Sequence, residues 1–169
     1  MANESNPESH IVDTIVFSEL IDEGATPIAW YPPGDEIPVV DLTNISLKSI
    51  SLLVGDKPDK AVVNDPRFIV DQKDSFAIIP FPDLDSVANV YMFGYTNQQM
   101  VNVVCTLTIM IKTKNRPFLF EKHDGIERLM KFTAFELLKL IMREKTYAKN
   151  DLEATLWVLQ DKLDSLAHT

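Results

Sequence analysis

The sequence predicts a single α+β domain in which an antiparallel sheet is covered by helices. Short segments rich in β-branched and aromatic residues, separated by turn residues, occupy the start and the centre of the chain. Residues 125–169 instead repeat apolar side chains at the three- and four-residue spacings of helices. The chain has 169 residues, 46% of them hydrophobic, which is enough to bury a core without a disulfide or metal. We expect the domain to span residues 11–169, after a disordered polar tail at residues 1–10.

The first two predicted strands form an antiparallel hairpin. Residues 11–20 are β-branched and aromatic, and the turn residues Asp22, Glu23 and Gly24 follow them. Residues 27–31 form the second strand, which has prolines at both ends. Proline cannot donate to a central ladder, so this strand is expected at a sheet edge.

A helix over residues 43–54 follows, with Asp41 or Thr43 as its N-cap. Its apolar residues form a wide stripe, as expected for a helix packed on a sheet. Residues 56–74 are polar and interrupted by prolines. Within them, residues 62–70 are compatible with either a short strand or a helix.

Three strands and two helices complete the prediction. Residues 75–81, 87–96 and 101–114 have short connections and predict an antiparallel meander. A helix over residues 125–145 follows an Asp124 cap, and a last helix begins at an Asp151 cap. Leucines recur along one side of this last helix at three- and four-residue steps: Leu152, Leu156, Leu159, Leu163 and Leu166. This row favours packing inside the domain, and the alternative is packing against a partner helix.

Composition and motifs argue against several functional classes. The formal net charge of −9 disfavours nucleic acid as a partner. The single cysteine, Cys105, lies in a strand-like segment and is expected to be a buried core residue in a reducing, cytoplasmic compartment. No segment reaches the length needed to span a bilayer, and no signal peptide is apparent. The three histidines have no metal-ligand spacing, and no phosphate-binding glycine loop is present. We therefore predict no catalytic residues, no metal and no cofactor.

Features typical of protein binding are more informative. Trp30 and Tyr31 are adjacent on the predicted edge strand, so one faces the core and the other faces solvent or a partner. The alternative is that helices cover both, with the flanking prolines blocking edge pairing. Together with Ile28, and with Leu47 and Ile50 of the first helix, they form the predicted partner-binding surface.

Positive charge is concentrated in one part of this acidic chain. Residues 101–150 hold ten Lys and Arg against five Asp and Glu, whereas the remainder holds six against twenty. The simpler interpretation, which we favour, is ordinary solvated helix and strand surface. The sharper interpretation is contact with an acidic protein or an anionic membrane surface, through Lys112, Lys114, Arg116 and Lys122.

Two motifs stand out beside the order of the elements. The first is the hairpin of residues 15–32, which contains an acidic-x-Gly-x-x-Pro pattern from Asp22 to Pro27. The second is the strand end at residues 79–82, followed by the strands at residues 87–96 and 101–111. The element order and these two motifs resemble longin domains, in particular those of DENN-type proteins and related small-GTPase regulators. The resemblance implies a five-stranded sheet of order 2-1-5-4-3, with one helix on one face and two on the other.

The resemblance also implies a function. Longin domains generally lack catalytic residues, form dimers, and act in complexes that regulate small GTPases at membranes. We accordingly expect a non-catalytic module that forms homo- or heterodimers and binds a small GTPase or another longin-type subunit. A stand-alone archaeal version of such a module is the expected context. The alternative is a small-ligand sensor or minor enzyme on a profilin-like fold, for which a deep polar pocket with a perturbed titratable group would be the sign.

Overall fold

A computed structural model describes residues 10–54, 75–143 and 148–169 of the chain. Its strands are β1 (Thr14–Ile21), β2 (Gly24–Tyr31), β3 (Ser75–Phe81), β4 (Ser86–Thr96) and β5 (Asn102–Lys112). Its α-helices are α1 (Val39–Val54), α2 (Pro117–Glu121), α3 (His123–Arg143) and α4 (Lys149–Ala167). Two 3₁₀ turns, Pro82–Leu84 and Thr113–Asn115, follow β3 and β5.

The five strands form one sheet of order β2-β1-β5-β4-β3, in which all neighbours are antiparallel. The strand order, the edge position of β2 and the β3–β4–β5 meander are confirmed. β1 and β5 lie side by side near the centre, where Ile15 pairs with Ile109. The first and the last strand of the chain therefore pair with each other in the interior of the sheet.

Helices cover both faces of the sheet: α1 lies on one side, and the two long helices α3 and α4 lie on the other together with the short α2. α1 packs over a small cluster that includes Val16, Val90 and Met110. α3 and α4 cover a larger cluster built on the opposite face of the same strands, with Phe17 and Leu107 at its centre. This alternation follows from the two-residue period of strand side chains, and it confirms the predicted one-plus-two arrangement of helices.

The leucines of α4 pack inside the domain. Leu152, Leu156, Leu159 and Leu163 are fully buried and belong to the larger cluster. The prediction of intradomain packing is confirmed for these four residues, and the stripe is not available to a partner helix.

The predicted helix caps were wrong. Pro38 O already accepts hydrogen bonds from the amides of Asp41 and Leu42, so α1 begins before either proposed cap. α4 begins after Ala148, whose side chain makes no capping bond, and Asp151 lies in its first turn. Asp124 likewise lies within α3. Carboxylates in the first turn stabilise the positive end of the helix dipole without capping it.

Two further predictions concern residues outside the described part of the chain. Residues 1–9 and 56–74, including the undecided segment at 62–70, lie outside them. His10, one residue before the predicted start of the domain, hydrogen bonds to Asp164 of α4. The five-residue helix α2 was not predicted, because so short an element shows no periodicity in the sequence.

Candidate interaction surfaces

The edge strand β2 contains a β-bulge at Ile28. Phe17 of β1 pairs with Ala29 and Ser18 pairs with Pro27, so Ile28 has no partner of its own. A bulge inserts one residue into the ladder and breaks the alternation of side chains. As a result, Ile28 packs against the core under α3 and α4.

Trp30 and Tyr31 point to opposite faces, as predicted. Trp30 packs against the cluster under α1, and Tyr31 packs against the cluster under α3 and α4. The indole Nε1 of Trp30 donates to the carbonyl of Gly34 at 3.1 Å, and Lys149 Nζ lies 3.4 Å from the ring centroid. A cation–π contact of this kind holds the ring in place. Trp30 is thus a half-buried side chain that is already engaged within the domain.

Tyr31 is also half-buried. Burial raises the pKa of its phenol, and the negative charges of Asp164 and Glu36 raise it further. The hydroxyl therefore keeps its proton and is a hydrogen-bond donor and acceptor at the edge of the sheet.

The two predicted residues of α1 have different surroundings. Leu47 is 54% exposed, whereas Ile50 is only 1% exposed and lies in the core. Residues three apart on a helix are separated by about 60° around its axis, which is enough here to turn Ile50 inward. Of the two, Leu47 is the one that a partner can touch without repacking the domain.

A groove of about 610 Å³ lies between α1 and the turn that follows β3. Leu47 and Lys48 line its α1 side, and Phe81 lines the other. Lys48 Nζ lies 4.5 Å from the Phe81 ring centroid and donates to the carbonyl of Pro80. Sequence reasoning missed the Phe81 wall, although the 79–82 motif marks its position. We call this groove the α1 groove; its lining residues are Asp41, Asn44, Leu47, Lys48, Ser51, Phe81, Pro82, Asp83 and Leu84.

The four predicted basic residues lie between the end of β5 and the end of α2. Lys112 is half-buried, with its Nζ 3.6 Å from Asp13 Oδ2 and donating to Leu84 O at 3.2 Å. Lys114 and Arg116 are exposed, and Lys122 is half-buried. Lys114 and Arg116 are therefore the two cations of this set that face solvent most freely.

The architecture matches that of a solved structure, the longin domain of Lst4 from K. lactis. The match covers 90% of this chain and 97% of that one, with a TM-score of 0.60 and 15% sequence identity. The fold is that of a longin domain. At this identity the likeness establishes the fold alone. No protein-family model matches the sequence, and no curated protein matches it either.

The longin-like domain has buried titratable groups beneath its helices. Burial raises the pKa of Glu19 on β1, although the Tyr95 hydroxyl donates to its Oε1 at 3.2 Å. Cys105, opposite Glu19 on β5, is fully buried, and its thiol pKa is raised well above the usual value. The thiol therefore stays protonated and is a poor nucleophile.

Three cavities formed by the described residues, the α1 groove and two smaller ones, are lined by other side chains than Glu19, Tyr31 and Cys105. Over residues 10–54, 75–143 and 148–169, no three metal-ligating side chains converge to form a metal site. No helix in this part of the chain is both long and apolar enough to cross a membrane.

Proposed function

We propose that this longin-like domain is a non-catalytic protein-interaction module that dimerises with a longin-type subunit and supports small-GTPase regulation or trafficking. The proposal is carried by one observation, an apolar row on the outer side of α1. Val39, Val40 and Leu47 are 74%, 63% and 54% exposed. Val40 and Leu47 are seven residues apart and therefore share one side of the helix. Exposed apolar side chains grouped in this way are typical of protein-binding surfaces.

The position of α1 favours a second longin-type subunit as the partner. α1 contacts the edge strand β2, and within the described residues β2 has a hydrogen-bonded neighbour on one side only, β1. Pairing two β2 edges around a two-fold axis would continue the sheet. The same symmetry would bring both α1 helices to one face, where their apolar rows could be buried together.

The small-GTPase role rests on the longin fold and on the surface that such a dimer would leave open. The α1 groove has an apolar wall at Phe81 and acidic residues at Asp41 and Asp83. Mixed apolar and charged surfaces of this kind suit regulated, reversible contacts. In this proposal the dimer, and not the isolated subunit, presents the groove to the GTPase.

Light scattering after size exclusion tests the dimer, using the wild-type protein and a V40E/L47E variant. We expect a dimer for the wild type and a monomer for the variant, because two carboxylates would have to be buried at the interface. F135E is the matched control, since Phe135 is 58% exposed on α3, across the sheet. Pull-down against a panel of GDP- and GTP-loaded small GTPases then tests the partner. A strict monomer that retains no GTPase would contradict the proposal.

A further inference from the structure

The outer side of α3 has a second set of large apolar side chains, in addition to the set that packs on the sheet. Met130 and Leu137 face the core and are fully buried. Phe132, Phe135 and Met142 belong to the same helix, yet they are 52%, 58% and 62% exposed. A helix at the surface of a domain usually has one apolar stripe, and grouped exposed apolar side chains are typical of contact surfaces. The outer side of α3 therefore has the character of a binding face.

The exposed side chains form a row with alternating four- and three-residue steps. The members of the row are Arg128, Phe132, Phe135, Lys139 and Met142. Because the steps average close to one helical turn, the row runs nearly parallel to the helix axis over about 21 Å. A straight row of this length fits a second helix of about four turns. A strand is less suited to this face, because a helix satisfies its own backbone groups except at its ends.

α4 provides the second wall of a shallow groove along this row. Lys162 Nζ lies 4.6 Å from the Phe132 ring centroid, and Val158, one turn earlier on α4, is 44% exposed. Lys162 also lines a cavity of about 380 Å³ at the start of α3, whose walls include Leu129 and Leu166. The groove thus offers aromatic surface along its length and a recess for an apolar side chain at one end. We call it the α3 groove.

The charges inside the α3 groove are positive. Lys139 Nζ lies 4.8 Å from the Phe135 ring centroid, and Lys162 lies over Phe132 in the same manner. Lys139 also forms an ion pair with Glu136 of the same helix at 2.7 Å. An ammonium has three N–H donors, so Lys139 can bind a further carboxylate without losing this pair. A surface of aromatic rings and cations is complementary to one of apolar side chains and acids.

We propose that the α3 groove binds an acidic amphipathic helix of a partner protein. Apolar side chains of that helix contact Phe132, Phe135 and Met142, and its flanking carboxylates pair with Lys139 and Lys162. This is the helix-in-groove mode of recognition, in which apolar anchors repeat every three or four residues.

The position of Lys139 favours a helix over a lipid surface. Lys139 lies within the row, between Phe135 and Met142, and not at its border. Amphipathic helices that lie on membranes keep their cations on the polar face, away from the apolar side chains that enter the bilayer. A partner helix can instead place a carboxylate beside this cation.

Fluorescence anisotropy with three labelled peptides of about 18 residues, long enough for four turns, tests the proposal on the full chain. The first peptide has leucine at alternating four- and three-residue steps and glutamate at the flanking positions. The second has lysine in place of every glutamate, and the third is a scrambled form of the first. We expect the glutamate peptide to bind at least about tenfold more tightly than either of the others. Equal affinity for the glutamate peptide and for either of the others would overturn the proposal.

A pair of double variants tests where the glutamate peptide binds. F132A/F135A should weaken its binding about tenfold, because two exposed aromatic anchors are removed. V40A/L47A is the matched control, since Val40 and Leu47 are similarly exposed on α1, across the sheet. It should leave the affinity unchanged, and the α3 groove is therefore tested independently of the proposed dimer. Weaker binding to V40A/L47A and unchanged binding to F132A/F135A would contradict the proposal.

A charge reversal gives a readout that a general loss of stability does not produce. K139E/K162E should reverse the preference, so that the lysine peptide binds more tightly than the glutamate peptide. K114E/R116E makes the same change of net charge at the end of β5 and should keep the preference for the glutamate peptide. A K139E/K162E protein that still prefers the glutamate peptide would show that these lysines do not select the partner.

Two other occupants of the α3 groove predict different results. If the groove meets a lipid surface, F132A/F135A should lower co-sedimentation of the protein with phosphatidylserine vesicles. If it meets a second copy of this chain, F135E should convert a dimer into a monomer in light scattering. Either result would overturn the proposal of an acidic partner helix.

Discussion

The Ser18 hydroxyl on β1 donates a 2.7 Å hydrogen bond to the Ser46 hydroxyl on α1, and both side chains are fully buried. Ser46 in turn donates to the carbonyl of Leu42. One strand away, Thr108 of β5 donates to Ser49 of α1 at 2.9 Å. Small hydroxyl side chains therefore fill the middle of the contact between α1 and the sheet, where a larger apolar residue would hold the helix away.

Ser18→Ala is expected to lower the free energy of unfolding by about 1 kcal/mol, because one buried hydrogen bond is lost. Ser46→Leu should cost more, about 1–3 kcal/mol or above, because the added volume has no space under the helix. Urea denaturation followed by circular dichroism measures both. Ser51→Ala, on the same helix but partly exposed at the α1 groove, is the control and should change stability by less than about 0.5 kcal/mol.

Gly24 allows the hairpin to close with a backbone that other residues rarely adopt. Its φ is +113°, and a Cβ built there would meet no atom within 4 Å. Gly24→Ala therefore tests backbone strain without a steric clash, and it should cost about 1–3 kcal/mol. Thermal denaturation compares it with Glu23→Ala in the same turn, which should behave like the wild type. Equal melting temperatures for the two variants would show that the hairpin adjusts freely.

Glu19 should make the domain less stable as the pH rises. Burial holds its pKa in the folded protein above the usual 4.5, so the folded state keeps a proton that the unfolded state releases. The unfolding free energy then declines as the pH rises from about 4.5 through the raised pKa. Glu19→Gln removes the ionisation and can still accept from Tyr95. It should melt at a higher temperature than the wild type at pH 7.5, with the difference vanishing near pH 4.

The control for this pH dependence is Glu23→Gln, which changes an exposed carboxylate in the adjoining turn. Its melting temperature should follow that of the wild type at every pH. A Glu19→Gln variant that is less stable than the wild type at neutral pH would mean that the carboxylate is stabilised by its surroundings, contrary to this prediction.

The exposed cations Lys114 and Arg116 allow a test of membrane contact. If this segment binds an anionic surface, K114E/R116E should weaken co-sedimentation with phosphatidylserine vesicles by at least about thirtyfold, because two cations at about 1 kcal/mol each are lost and the new carboxylates add repulsion. Binding by the wild type should also weaken as salt is raised from 0.1 to about 0.5 M. R128E/K162E carries the same charge change on α3 and α4 and serves as the control. Equal loss in both variants would indicate a general effect of net charge.

The strands and the long helices could be predicted because their burial in the structure matches the pattern of apolar residues in the sequence. β1 and β5 are buried on both faces by helices, so their sequences are nearly continuous runs of β-branched and apolar residues. The regular leucine spacing of α4 indicates a helix with one fully buried side, as the structure shows. The ends of the helices were harder to predict. The first hydrogen bonds of α1 are accepted by the backbone oxygen of Pro38, and the sequence pattern of capping side chains does not show such a start.

The candidate surfaces were less accessible to sequence reasoning. A bulge such as that at Ile28 leaves no mark in the residue types, so the pattern assigns Ile28 and Trp30 to the same face. Leu47 and Ile50 look alike in sequence, and only the rotation of α1 on the sheet separates them. A cavity of about 280 Å³ lined by Phe76, Asn89, Phe120 and Glu127 combines residues of β3, β4, α2 and α3, which become neighbours only in the folded chain.

The pairing of Ile15 with Ile109 has a consequence for how the chain acquires this structure. The central ladder cannot form until β5 has been made, and joining such distant segments requires closure of a long loop. The β1–β2 hairpin, by contrast, can form locally and early. We therefore expect a chain ending before β5 to expose the unpaired β1 edge of that hairpin, which makes the stage before β5 is synthesised the most vulnerable to aggregation and the most dependent on chaperones.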